Sequence, residues 1–219
     1  MWKYKIITVI IEAKKKFIEN LKPSGIKNHN GKSFTRKRSL TIARILTIIL
    51  RSSPNSLQIR LDDYYEEIGC KEEVVTKQAI SKARTNLDPE VVKASFELTA
   101  RTLSGCEDLE LYRDKYRLCA IDGSEIALDN AKELLDYFGG SGSKKDCAMA
   151  LASICHDPLN NMILDGGLYK YGTNEREAAR NHIEAVSKLP LPRWAKNLYI
   201  YDRREESFGF FLATRQESF

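Results

Sequence analysis

The sequence predicts an α/β protein, a helical amino-terminal region followed by a sheet-forming carboxy-terminal half. Three observations carry that reading. Over residues 40–103 apolar side chains recur at helical spacing between breaks at Ser52-Ser53-Pro54, Gly69 and Asp88-Pro89. Beyond residue 115 two short apolar runs, 118–121 and 197–201, each end in an aspartate, Asp122 and Asp202. Charge is also divided. Of 35 Lys and Arg and 30 Asp and Glu, the first sixty residues hold 14 and 2, leaving 21 and 28 for the rest. A basic end on an acidic remainder suits a polyanionic partner, because neutralised phosphates release counterions.

Taken in order, residues 1–21 predict an amphipathic helix with Ile7, Ile10, Ile11, Phe17, Ile18 and Leu21 near one face. Its apolar run of 6–11 is too short for a membrane span or a signal peptide. Lys14, Lys15 and Lys16 then face solvent or a partner. Residues 22–39 mix turn residues with positive charge, including Arg36, Lys37 and Arg38, and read as a linker that a polyanion orders. Residues 1–39 therefore form a basic arm.

A helix is predicted over residues 40–51, apolar at Ile42, Ile45, Leu46, Ile49 and Leu50. A second spans 57–68 and stops at Gly69. A third spans 76–87, with Ala79, Ile80, Ala83 and Leu87 inward and Lys77, Gln78, Ser81, Lys82 and Arg84 outward. Helix, glycine-bearing turn and polar-faced helix suit a helix-turn-helix, in which Lys and Arg meet phosphates or guanine and Gln reads adenine. Any surface helix shares that pattern. Asp88 caps a fourth helix, with Pro89 at its first position. Residues 40–110 form the helical DNA-binding region, and 111–219 the sheet-bearing part.

In that part the run 118–121 is read as a buried strand that stops at Asp122 and turns on Gly123. Asp122 would sit on a rigid support where a carboxylate can hold a cation, or would bond only the turn backbone. Residues 131–138 suggest a helix, and the glycine-rich 139–145 lacks the ending of a phosphate-binding loop. Two paired strands follow at 149–155 and 162–169. Asn174 caps a helix that buries Ala178, Ile183 and Val186. Glu175 and Arg176 either orient a site or serve the helix dipole. The runs ending in Asp122 and Asp202 can lie side by side in one sheet, converging on divalent cations.

Five cysteines show no Cys-x-x-Cys pair, and their odd count argues against a disulfide framework and for a reducing cytoplasm. Three histidines without ligand spacing argue against zinc.

Ala-Ile-Asp-Gly-Ser at 120–124, Asn-Glu-Arg-Glu-Ala-Ala-Arg-Asn-His-Ile at 174–183 and Tyr-Ile-Tyr-Asp-Arg at 199–203 resemble DDE transposases of bacterial insertion sequences. The nearest group is the one typified by insertion sequence four. Val-Thr-Lys-Gln-Ala-Ile-Ser-Lys-Ala-Arg at 75–84 is similar to that family's DNA-binding region, so the likeness covers roughly 60–219. It implies a ribonuclease H-like core in which Asp, Asp and Glu bind two Mg²⁺ or Mn²⁺ ions. Asp122 and Asp202 are then the first two catalytic metal ligands, and Arg203 and Arg176 are supporting residues. The implied partner is double-stranded DNA at transposon ends, with no membrane and with a homodimer as one state.

The likeness has departures. Where the family has Asp-Arg-Gly-Tyr-Pro-Ser, this chain has Asp202-Arg203-Arg204-Glu205-Glu206-Ser207. The family's glutamate lies beyond the next strand, and Glu217 is too near Asp202 to serve. The expectation is a C-terminally truncated, incomplete ribonuclease H-like domain that binds DNA without transposing it alone. Its alternative is a non-catalytic DNA-binding remnant. A small metal-dependent phosphohydrolase is the third reading, against which the basic arm argues.

Overall fold

The computed structural model describes residues 2–20, 40–51, 54–106, 108–141, 147–201 and 213–214. Two compact units divide the chain: Ile7–Thr99, and Ala100–Phe219 together with Met1–Ile6. The architecture is mixed α/β, as the sequence predicts. Among the described residues no helix is long and apolar enough to cross a membrane.

In the unit Ile7–Thr99 the helices begin where short polar side chains cap them. Helix α1 spans Trp2–Asn20, and its Phe17 and Ile18 pack on the helical core. Ile11, expected on the same face, is 47% exposed. Thr41 caps α2 (Ile42–Leu50), Ser56 caps α3 (Leu57–Glu67) and Thr76 caps α4 (Lys77–Arg84), each side-chain oxygen accepting an orphan backbone N–H. Helix α5 spans Pro89–Ser104, with Asp88 bonding the Glu90 N–H. The core is Ile45, Leu46, Ile48, Leu61, Tyr64, Tyr65, Ile80, Leu87 and Val91. Leu50 departs from expectation and is half exposed, its place taken by Ile48.

The basic excess is partly used up inside this unit. Arg44 pairs with Glu73 at 2.6 Å and lies over the Tyr65 ring. Arg51 grips Glu67 with both terminal nitrogens, at 2.7 and 2.6 Å. Arg60 donates to the carbonyls of Ile48 and Arg51 at the end of α2, where helical acceptors lack partners. Positive charge left for a polyanion therefore lies on α1 and α4 and in residues 21–39, which include Arg36, Lys37 and Arg38 and lie outside the described residues.

The other unit is built on β1, Tyr116–Ala127. Strand β3 (Cys147–Asp157) lies antiparallel to β1, and β4 (Met162–Lys170) antiparallel to β3. After β4 the chain passes through α7 (Glu175–Ser187) to β5 (Lys196–Ile200), which joins the other side of β1 in parallel. The order is thus β4-β3-β1-β5, extended by the two-residue strands β2 (Gly140–Ser141) on β3 and β6 (Ala213–Thr214) on β5. Helix α6, Lys132–Phe138, lies between β1 and β2 in the chain.

One face of the sheet is the core. Cys119 and Ile121 of β1, Cys155 of β3, Leu164 of β4 and Tyr199 of β5 pack with Ala100 and with Ala179 and Val186 of α7. Cys119 and Cys155 are fully buried, and all the described cysteines are free thiols. A hydrogen bond with Cys119 and burial hold the Cys155 thiol protonated, its pKa raised. The other face carries exposed Ile154, Ile163, Leu168 and Ile200, at 40–54%.

Two charges lie inside this core. Arg117 is fully buried, its Nε donating to the Asn197 side chain at 2.9 Å and its terminal nitrogens to the carbonyls of Pro190 and Val186. Asp157 is also fully buried and accepts from the backbone of Leu159 and Asn160 and the Asn160 side chain. Burial raises the pKa of its carboxyl, against those hydrogen bonds and Arg117. A raised folded-state pKa means a contribution present below the unfolded value of about 3.9 and lost as pH rises through the folded value. The stability difference between the native chain and Asp157→Asn should therefore fall as pH is raised from 3 to 7, measured by urea unfolding. A pH-independent difference would contradict the assignment.

Candidate functional site

The predicted side-by-side placement of the two aspartate-ending runs is found in the described strands. Tyr116 pairs with Lys196 and the parallel register runs to Ala120 opposite Ile200. The expected turn at Gly123 is not present. Strand β1 continues straight through it, with Asp122 opposite Ile154, Gly123 opposite Ser153 and pairing onward to Ala127. An aspartate followed by glycine has the composition of a turn, and beyond it residues 124–128 alternate polar and apolar. That stretch is the exposed half of the same strand, in which Ser124, Glu125 and Ala127 face solvent.

Asp122 thus sits within a long strand, just past the last described β1–β5 pair. Alternation puts Ile121 in the core and Asp122 on the opposite face, where it is exposed. Its Oδ1 accepts from the N–H of Gly123 at 2.9 Å. Gly123 has a packing reason to lack a side chain. A Cβ there would lie 3.1 Å from Leu151 Cδ1 and 3.7 Å from Glu175 Cγ, both on the core side. Glu175 therefore borders the same residue from the other face of the sheet. Arg176 is exposed at the start of α7, with its N–H on the Asn174 cap at 2.8 Å. Asp202 and Arg203 lie outside the described residues.

A hard divalent cation wants oxygen donors, and Asp122 supplies an accessible carboxylate on a rigid strand. Among the described residues no group of three or more His, Cys, Asp or Glu is placed to hold a metal ion. The structure brings Asp122 beside the strand that precedes Asp202 in sequence and leaves Arg176 on α7.

A polar chain that the sequence did not disclose lies behind Asp122. His182 of α7 is fully buried; its Nδ1 is 2.7 Å from Asp165 Oδ2 on β4 and its Nε2 3.0 Å from Ser153 Oγ on β3. The Ser153 hydroxyl donates to the Asp122 carbonyl at 3.1 Å. Asp, His and Ser follow the order of an activated nucleophile, but there the serine gives its proton to the histidine, whereas Ser153 gives it to the Asp122 carbonyl. Ser153 is also only 3% exposed, so a substrate has no access to it. The signal available in sequence was helical spacing: His182 lies four residues after Ala178 and four before Val186, on the apolar face of α7.

On α4 the expected outward set holds. Lys77, Gln78, Ser81, Lys82 and Arg84 are all exposed, while Ile80 and Leu87 are buried. Ala79 is exposed, contrary to expectation, because it lies about 100° around the helix from Ile80. The angle between α3 and α4 is held by Gln58. Its Oε1 accepts the Lys77 N–H at 3.0 Å and its Nε2 donates to the Val75 carbonyl. Ser81 and Arg84 also border a cavity of about 90 Å³ floored by Ile48, Ile49, Leu57 and Ile80.

These features define a mixed α/β unit with an exposed strand-borne carboxylate, and a capped helical unit with an exposed cationic helix. No protein-family model, curated protein or solved structure matches this chain.

Proposed function

We propose that the chain is a DNA-processing protein of the DDE transposase type. The helical unit would bind duplex DNA, and the sheet unit would be a ribonuclease H-like core for metal-dependent phosphodiester cleavage and strand transfer. The observation that carries this reading is the parallel β1–β5 register. Ala120 lies opposite Ile200, and Asp122 and Asp202 each follow in sequence two residues after that pair. The chain also reverses strand order there, running from β1 to β3 on one side and returning through α7 to β5 on the other. In open α/β sheets ligands sit outside the carboxyl ends of strands at such a reversal; here that end is the end of β5, while β1 runs on to Ala127.

Asp122 and Asp202 would hold Mg²⁺ or Mn²⁺, which when bound supplies Lewis acidity to the reacting phosphodiester. Asp122 binds from a rigid strand with one carboxylate oxygen tethered to Gly123. Arg203 and Arg176 would contact phosphate or support the carboxylates, Arg176 through its exposed position at the start of α7. Lys77, Lys82 and Arg84 would hold the DNA backbone while Gln78 and Ser81 face base edges. Arg36, Lys37 and Arg38 would add charge that does not read sequence.

A second reading is favoured by the helical unit having its own closed core: a DNA-binding protein without catalysis. A gel-shift and nicking assay on duplex DNA with Mg²⁺ or Mn²⁺ separates the two. Metal-dependent nicking that Asp122→Ala abolishes is the result expected of the catalytic reading. Binding without nicking selects the second, and absence of DNA binding overturns both.

A further inference from the structure

We infer that Asp165, His182 and Ser153 are positioning residues for the Asp122 carboxylate, an inference that rests on Asp122 being a cation ligand. The Asp122 carbonyl and the Gly123 N–H belong to one peptide unit, which is planar, so gripping its oxygen fixes the direction of its hydrogen. The Ser153 hydroxyl grips the oxygen at 3.1 Å, and the hydrogen at the other end of the same plane holds Asp122 Oδ1 at an N···O distance of 2.9 Å. The chain therefore runs from α7 and β4, through β3, into the carboxylate exposed on the far face.

Each link is itself restrained. His182 is fixed at both ring nitrogens, 2.7 Å from Asp165 and 3.0 Å from Ser153, and Tyr169 stands edge-on to its ring at 6.2 Å. His182 and Ser153 are buried, so water does not compete for these bonds. Hydrogen bonds in series polarise one another. A peptide whose oxygen accepts from Ser153 makes its N–H a stronger donor to Asp122. The Asp165 carboxylate, with its side chain 28% exposed, ends the chain at the surface of β4.

The role differs from that of a nucleophilic triad, which places its serine at an open site. Here the serine faces inward and the group it serves is a carboxylate in solvent. Residues that orient a ligating group in this way typically change metal affinity by about 10–100-fold when removed.

The test uses the full 219-residue chain labelled with ¹⁵N. Ser153→Ala, Ser153→Thr, Asp165→Asn and Asp122→Asn are compared by the Gly123 amide resonance, by Mn²⁺ titration and by urea unfolding. Ser153→Ala should displace the Gly123 amide and weaken Mn²⁺ binding by about tenfold, with Ser153→Thr restoring both. Asp165→Asn should act in the same direction, and serves should Ser153→Ala fail to fold. An unmoved Gly123 amide in the folded Ser153 and Asp165 variants overturns the inference. Should Asp122→Asn leave Mn²⁺ affinity unchanged, Asp122 is not a cation ligand and the functional reading fails. The amide readout then still decides whether the three residues hold the carboxylate.

Discussion

Replacing Arg117 with alanine is expected to destabilise the sheet unit by about 3–5 kcal/mol, a large part of the stability of a single domain. The side chain is fully buried at the junction of three elements. It bonds the Asn197 amide on β5, the Val186 carbonyl near the end of α7 and the Pro190 carbonyl beyond it. Truncation removes the guanidinium from three acceptors, of which the Pro190 carbonyl has it as its donor, and opens a void the size of an arginine stem. The Coulombic support Arg117 gives to buried Asp157 is also lost. Arg117→Met, which refills the volume and removes the charge, should recover only part of the loss because the Pro190 carbonyl stays without its donor, whereas the Val186 carbonyl keeps the Leu189 N–H and Asn197 keeps the Cys119 thiol. Urea unfolding of the two variants beside the native chain gives the answer. Equal stability of Arg117→Met and the native chain would show that Arg117 contributes volume alone.

The second large effect concerns DNA. Changing Lys77, Lys82 and Arg84 together to glutamine should lower duplex affinity by about 10²-fold at moderate salt, and reduce the slope of log affinity against log salt by about 3. All three side chains are exposed, and their removal disturbs neither the Thr76 cap nor the Gln58 tether that fixes the start of α4. Gln78→Ala should instead weaken the preference among DNA sequences with little change in slope. Titrations at several salt concentrations separate the two behaviours. A triple variant with native slope would place the DNA elsewhere on the molecule.

What the sequence disclosed follows from how local each signal is. Thr41, Ser56, Thr76 and Asp88-Pro89 act within one turn of the backbone, so the starts of α2 to α5 were legible to within a residue or two. The adjacency of the runs before Asp122 and Asp202 was legible because each is a short apolar stretch that must be covered on both sides. The continuation of β1 was not. A glycine after an aspartate looks like a turn unless the residues that crowd it are known, and Leu151 and Glu175 come from distant segments.

Arg117, Ser153, Asp165 and His182 escaped for the same reason. Each is a polar residue within or beside an apolar run, and its partners lie between 17 and 80 residues away. A buried polar group reads as a surface residue until its partner is placed. The proposed DNA contacts Arg36, Lys37 and Arg38 and the second aspartate, Asp202, with Arg203, fall outside the described residues.

The parallel pairing of β1 with β5 also has a consequence for how the chain is made. Tyr116 and its partner Lys196 are 80 residues apart, and every β1–β5 pair shares that separation. At synthesis rates of about 5–20 residues per second, β1 leaves the ribosome roughly 4–16 s before β5 can reach it. In that interval the antiparallel meander of β1, β3 and β4 can assemble, since hairpins close in microseconds. One side of β1 then waits with its backbone donors and acceptors unpaired, next to apolar Leu118 and Ala120. Such an edge pairs with whatever strand arrives first, including one from a neighbouring nascent chain. Polysome density and growth temperature should therefore govern the yield of correctly paired molecules, because both set how long that edge stays open.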